Sequence, residues 1–404
     1  MNILDDAHAM QDDLAELRRR LHAEPETGLH LPRTQEKVLS WLDSAGLEIS
    51  TGDATTSVVG VLRGTARDGR DPRAVLLRAD MDALPIRELT GLAFAATNGA
   101  MHACGHDLHT ASLAGAAHLL GRHRDRLAGD VVFMFQPGEE GHDGAGVMVG
   151  EGVLDAAGYR AEAAFAFHVF SAGLPGGLFS SRPGAIMSAA HRLRVGVKGA
   201  GGHGSMPHRA KDPVTALAAM ITGLQTMVTR RFDVFDPVVV SVGRIAAGTA
   251  HNVIPEVAEF DATVRTFSDR TADVIRSRVE ETLAGVASAH GVEVEVRLEQ
   301  EALLTANSAS EVRFAAEVAQ AVLGDGGYRP MAHPLAASED FSRVLAHVPG
   351  AFIALGATLP GLDPGTAPNN HSPYADFDSR VLSSAAAMYA ELAIRRLAAP
   401  APRP

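Results

Sequence analysis

A single cysteine occurs in 404 residues, so no disulfide can form within the chain, and this suits a reducing cytoplasm. Positive charge is also scarce: 36 Lys and Arg against 48 Asp and Glu leave a formal charge of −12. A nucleic-acid surface needs a basic patch, and the tight basic cluster here, RRR at 18–20, reads as the solvated face of a helix. No apolar run reaches membrane-spanning length. The opening MNILDDAHAMQDDLAEL carries acids where a secretory leader needs a basic start and an apolar core. These absences exclude nucleic-acid and membrane partners, and the expectation is a soluble cytoplasmic protein. What remains is a large chain with 46% hydrophobic and 21% charged residues, enough to build a core and long enough for two domains. The tail AAPAPRP (398–404) reads as disordered.

Apolar residues at Met10, Leu14, Leu17 and Leu21 predict a helix over 6–22. AVLLRAD (74–80), DVVFMFQ (130–136) and AEAAFAFHV (161–169) read as buried strands. Between the first two lies a helical stretch, LHTASLAGAAHLLGRH, with Asp107 as its expected N-cap. This alternation predicts an α/β sheet. Each strand leads into polar residues, Asp80 and Asp82, then Glu139 and Glu140, then His168. Sites in such sheets lie at the carboxyl ends of strands, so one shared site is expected.

Residues 191–299 change character. Leu193, Val195 and Val197 alternate on a strand, and Asp212 with Pro213 opens a helix striped by Val214, Leu217, Ile221, Leu224 and Val228. Two strands follow, PVVVSVGRI and EFDATVRTF. A second helix over about 270–289 ends at Gly291, and VEVEVRLE closes the set. The order βαββαβ is ferredoxin-like. The expected division is an α/β domain of residues 1–185 and 303–404, with residues 186–302 inserted.

The chemistry concentrates in MHACGHDLH (101–109) and FQPGEEG, about thirty positions later. Cys104, His106, Glu139, Glu140 and His168 are the side-chain types that hold a zinc-like ion. Plainer readings exist for each. Cys104 alone reads as an inert buried residue, the two glutamates as a solvated loop pair, and His168 as a core histidine. His22, His102, His109, His118 and His208 read as structural, surface or supporting. A different enzyme reading makes Cys104 a nucleophile with His106 or His371 as its base, but leaves the paired glutamates idle.

RADMDALP, MHACGHD, FQPGEEG, GGHGSMPH, HNVIP, SEDF and NNHSP stand here in one order, from HAEPETG (22–28) to NNHSPYADFD (369–378). Together they resemble the aminoacylase and hippurate-hydrolase family of metal-dependent amidohydrolases, which includes auxin–amino acid conjugate hydrolases. The resemblance implies a zinc-exopeptidase-like catalytic domain interrupted by a lid or dimerisation domain. It implies two divalent ions held by Cys104, His106, Glu140, His168 and His371, with Glu139 as general base and Asp82 bracing a ligand. The wider clan often has histidine where Asp80 stands and aspartate near Cys104, and this chain follows the differing cysteine branch. A thiolate is softer than a carboxylate, so Zn, Mn, Co and Ni are all admissible. By the same likeness His203 donates to the oxyanion, within its own subunit or across a dimer. Asn252, in the loop GTAHNVIPE, and Arg265, on the polar face of EFDATVRTF, are candidates to grip the substrate carboxylate. The implied reaction is hydrolysis of N-acyl amino acids, with a dipeptidase or carboxypeptidase on the same scaffold as the alternative. The implied partners are a small-molecule substrate and a second copy of the chain, as a homodimer or higher homo-oligomer. Ser338 in ASEDF is expected to cap a helix.

Overall fold

A computed structural model describes residues 2–66, 69 and 71–399, so the tail from 400 onward lies outside the described residues. The chain divides into two compact units. The first comprises Met1–Ile186, Ala306–His333 and Asp340–Pro404, and the second Met187–Thr305 with Pro334–Glu339.

The first unit is built on an eight-stranded sheet. Its spatial order is Glu48–Thr51, Val58–Leu62, Asp130–Gln136, Ala74–Asp80, Ala163–Phe170, Gly350–Gly356, Phe179–Ser181 and Tyr328–Pro330. The four middle strands, from Asp130–Gln136 to Gly350–Gly356, run parallel to one another. Ala74–Asp80, Asp130–Gln136 and Gly350–Gly356 are buried along their whole length. That burial explains why these sequences read as unbroken apolar runs rather than alternating ones. Helices His106–Arg122 and Val381–Ala398 pack against each other and on the sheet, with Leu113, Ala117, Leu120, Ala386 and Leu392 in the shared core. Parallel strands end on one edge, and the polar residues that follow them gather there.

The second unit has a four-stranded antiparallel sheet in the order Val238–Ala247, Val257–Thr266, Ala189–Lys198, Glu293–Ala302. Helices Pro213–Arg231 and Asp269–His290 pack on it, giving the chain order βαββαβ. Leu193, Val195, Val197, Phe260 and Val264 form one apolar face. The Asp212 side chain accepts from Val214 N–H with Pro213 in the first turn, Ser268 caps the other helix, and Gly291 ends it at φ +66°.

Four local expectations change here, and the first is the RRR cluster, whose Arg18 is buried against Asp107 rather than solvated. The N-terminal helix is two helices, Ile3–Ala9 and Gln11–His22, parted where Met10 N–H bonds back to Ala7 O. The helix after Cys104 begins at His106, so Asp107 lies in its first turn, fully buried, and is not the cap. In Pro213–Arg231 the buried stripe is Ala216, Leu217, Met220, Leu224 and Met227, while Val214 is exposed. Among the described residues no helix is long and apolar enough to cross a membrane.

Candidate metal centre

Cys104 lies in the loop before the His106–Arg122 helix, and His106 is that helix's first residue. Gly105 separates them in the left-handed region at φ +85°, where a Cβ would stand 2.3 Å from Val169 Cγ2. Only glycine fits both the turn and the approach. Glu139 and Glu140 follow the Asp130–Gln136 strand. The buried Asp82 carboxylate accepts both of their N–H groups, at 2.9 and 3.0 Å, and fixes that turn. His168 stands on the Ala163–Phe170 strand. His371 is held at φ +67° with its N–H on Ala103 O at 2.9 Å.

These segments converge. Cys104 Sγ is 3.4 Å from His168 Nε2 and 3.2 Å from His371 Nε2, which is itself 3.2 Å from Glu140 Oε1. Two donor groups result, Cys104–His106–His168 and Cys104–Glu140–His371, sharing the sulfur. Glu139 joins His106 and Glu140 in a third. All five residues expected as ligands are therefore brought together with the expected base.

The donors fit divalent cations on their own chemistry. His106 Nδ1 donates to Asp82 O at 2.8 Å, so Nε2 carries the lone pair, and it is buried without a hydrogen-bond partner among the described residues. His168 Nδ1 donates to Val169 O at 2.9 Å, which likewise leaves Nε2 as the donor atom facing Cys104. A backbone carbonyl that fixes the tautomer in this way is a usual partner of a metal-binding histidine. Burial and neighbouring His109 hold His168 well below the usual imidazole range. His371 is pushed up to about 10 by hydrogen bonds to the Cys104 sulfur and Glu140 carboxylate, against the effect of burial. Burial opposes protonation of His106, yet Asp80 and Cys104 outweigh it and raise its pKa. The surroundings of His106 and His371 thus favour positive charge, while His168 is held neutral.

Sequence reasoning missed the residues that hold the ligands. Asn370 Nδ2 donates to Cys104 O at 3.1 Å and Val169 O at 2.9 Å, and its Oδ1 accepts from Ser171 N–H at 3.0 Å. One side chain ties three ligand-bearing segments, and the doubled asparagine in NNHSP was its one signal. Arg78 and Asp340, both buried, form an ion pair at 2.9 Å beneath the site. Asp340 also accepts from Gln136 Nε2 and Ala145 N–H, bracing both ends of the glutamate loop.

The other expected residues belong to the second unit. His203 is exposed on a two-residue strand paired with Val253–Ile254. Its Nδ1 accepts from Ser205 N–H at 3.1 Å, so the proton sits on Nε2. Asn252 lies in the adjoining loop, where its carbonyl takes the Gly204 N–H at 2.8 Å. Arg265 is half-buried and donates to Ser338 Oγ at 3.0 Å. Ser338 thus holds a guanidinium and caps no helix. The next helix, Ser342–Leu345, begins after Phe341.

The model of Peptidase family M20/M25/M40 matches residues 76–395. The chain belongs to this family. As an M20 protein it is a hydrolase of amide or peptide bonds. It is similar to the N-acetylcysteine deacetylase of Bacillus subtilis (strain 168), with 34% identity over 96% of this chain and 97% of that one. It is also similar to the hippurate hydrolase of Campylobacter jejuni, with 33% identity over 98% and 100%. Among solved structures, a dinuclear metal-binding peptidase of the M20 family from Bacillus subtilis matches this M20 chain with a TM-score of 0.82. Its identity is 32%, covering 96% of this chain and 99% of the other.

Proposed function

We propose that the chain is a two-metal hydrolase of N-acyl amino acids that releases a carboxylic acid and a free amino acid. The observation that carries this reading is the pair of donor groups sharing Cys104, with Glu139 beside them. Cys104, His106 and His168 would hold one ion and Cys104, Glu140 and His371 the other, as Zn, Mn, Co or Ni. Such ions, when bound, acidify water and polarise the amide carbonyl. Glu139 takes the proton of the attacking water and returns it to the leaving amine. Asp82 keeps the two glutamates in place through their backbone N–H groups.

In this reading the second unit is a ferredoxin-like lid. His203, with its proton on an exposed Nε2, donates to the oxyanion. Arg265 and Asn252 bind the substrate carboxylate, and guanidinium suits a two-point contact. An edge strand of the second unit is the proposed seam of a homodimer, and light scattering tests whether the chain dimerises. The amide class is supported by the names of the two relatives, whose substrates are small acylated amino acids.

The test is a panel of N-acetyl, N-benzoyl and dipeptide substrates, assayed after chelation and after return of each metal. Hydrolysis of an acyl–amino acid that chelator abolishes and metal restores supports the proposal. Turnover of dipeptides alone moves the protein to the peptidase alternative. The 3.2 Å approach of Cys104 to His371 favours one rival, a thiol nucleophile. Cys104 is 7% exposed and faces two further ligand types, which disfavours it. Activity that survives chelator and dies on alkylation would establish the rival.

A further inference from the structure

We propose that His109 is a positioning residue, whose imidazole takes a backbone N–H left over by the sheet and so fixes the strand end that carries His168. The strands Ala74–Asp80 and Ala163–Phe170 pair from Val75 with Ala163 to Arg78 with Ala166. Past that register they part, and helix side chains satisfy the N–H groups facing the gap. Phe167 N–H donates to the Tyr389 hydroxyl at 3.0 Å, which in turn donates to Arg78 O at 2.7 Å. Val169 N–H donates to His109 Nε2 at 2.7 Å. His168 lies between these two residues.

An imidazole nitrogen that accepts a backbone N–H must be unprotonated, so the His109 proton sits on Nδ1. There it meets Asp80 Oδ1 at 2.5 Å, while Asp80 Oδ2 accepts from Arg78 at 2.7 Å. All three side chains are buried. Arg78 therefore orients Asp80, Asp80 selects the His109 tautomer, and that tautomer anchors Val169. His109 also stacks edge-on against His168, with ring centroids 4.8 Å apart. The other side of this strand end is paired with Gly350–Gly356, so the His109 bond holds the side facing Ala74–Asp80, and its loss would let His168 Nε2 shift against Cys104.

The inference rests on the ligand role given to His168 above. Its test measures Zn(II) affinity by competition with a chelating chromophore, together with kcat and KM, for the wild type and for H109L, H109Q, D80N and H109L/D80N. Leucine removes both hydrogen bonds, whereas the glutamine amide offers one donor and one acceptor. Asp80→Asn retains His109 but inverts it: Arg78 can only donate, so the new amide nitrogen faces Nδ1, and the proton moves to Nε2 against the Val169 N–H. H109L and D80N are expected to weaken one of two Zn(II) positions roughly tenfold to a hundredfold, as for other partners of metal-binding histidines. Their kcat falls with KM little changed. H109Q stays near the wild type, and the double variant is no worse than H109L, because the two residues act in one chain.

Wild-type affinity in H109L, equal losses in H109L and H109Q, or additive losses in the double variant would each overturn the proposal. Should H109L not fold, D80N and H109Q decide alone, and equal affinities refute it. A wild type that binds Zn(II) but hydrolyses nothing defeats the functional reading and leaves the affinities to judge His109. A wild type that takes up no Zn(II) defeats both.

Discussion

Glu139 and Glu140 are neighbours in sequence with different surroundings. Glu140 faces His371, and its carboxyl is held below the usual range: burial opposes ionisation, but His371 and His106 prevail. Their backbone N–H groups share one Asp82 carboxylate, so the turn is rigid and the two side chains can take separate tasks. Replacing Glu139 by Gln keeps the size and removes the base. E139Q is expected to lose about 10²–10⁴-fold in kcat, the usual worth of general acid–base catalysis, while binding as much metal as the wild type. Metal analysis alongside turnover checks this, and retained activity would remove Glu139 from the mechanism. Cys104, His106, Glu140, His168 and His371 stand in motifs whose family resemblance implies a ligand set, and the fold brings their donor atoms together. Asn370 and Arg78 were not legible, since amide and guanidinium groups are common on surfaces and only the fold buries Arg78 and turns Asn370 onto Cys104 and Val169. Asp107 was misread for the same reason. An aspartate near a helix start caps it or, as here, faces Arg18 at 2.7 Å, and sequence does not separate the two.

At the scale of elements, the join between the Cys104 loop and the His106–Arg122 helix is closely packed. Gly105 needs φ +85°, and its missing Cβ leaves room for Val169 and Phe377. G105A is expected to cost about 1–2 kcal/mol for the left-handed backbone and about 1–3 kcal/mol more for overpacking. Thermal melting should show a lower Tm and weaker metal retention, and an unchanged Tm would mean the loop relaxes freely. The strands Ala74–Asp80 and Asp130–Gln136 were legible because burial on both faces leaves an unbroken apolar run. The long strands and helices between Ala189 and Ala302 were legible through alternation and caps. Phe179–Ser181 and Tyr328–Pro330 were not, because three-residue strands owe their existence to neighbours rather than to a pattern of their own. Val214 left the predicted stripe through a small rotation of its helix, which periodicity alone does not fix.

Across the first unit as a whole, distant segments are tied by one buried polar cluster. His22, on the Gln11–His22 helix, meets Asp107 at 2.8 Å through Nδ1 and Glu88 at 3.2 Å through Nε2. Arg18, one turn earlier, bonds the same Asp107. Burial alone would lower the His22 pKa, but its hydrogen bonds to Asp107 and Glu88 raise it to about 9. A histidine raised above its unfolded value of 6.5 stabilises the fold fully below pH 6.5. That contribution fades as pH climbs through 9. Its full size is about 3 kcal/mol at a shift of this extent. Asp107 and Glu88 have depressed values in spite of burial, through Arg18 and His22 for the first and through His22 and Thr90 for the second. Their stabilisation is present above the unfolded carboxylate range and is lost on acidification. Stability should therefore be greatest between about pH 5 and 6.5 and decline on both sides. H22Q retains a hydrogen-bonding side chain but cannot carry the charge. Denaturant midpoints for both proteins from pH 5.5 to 9.5, with metal held constant, should show the wild type more stable at pH 6 and the two curves converging by pH 9.5. A constant difference across that range would mean His22 is buried neutral, and the cluster would then be held by Arg18 and Asp107 without it.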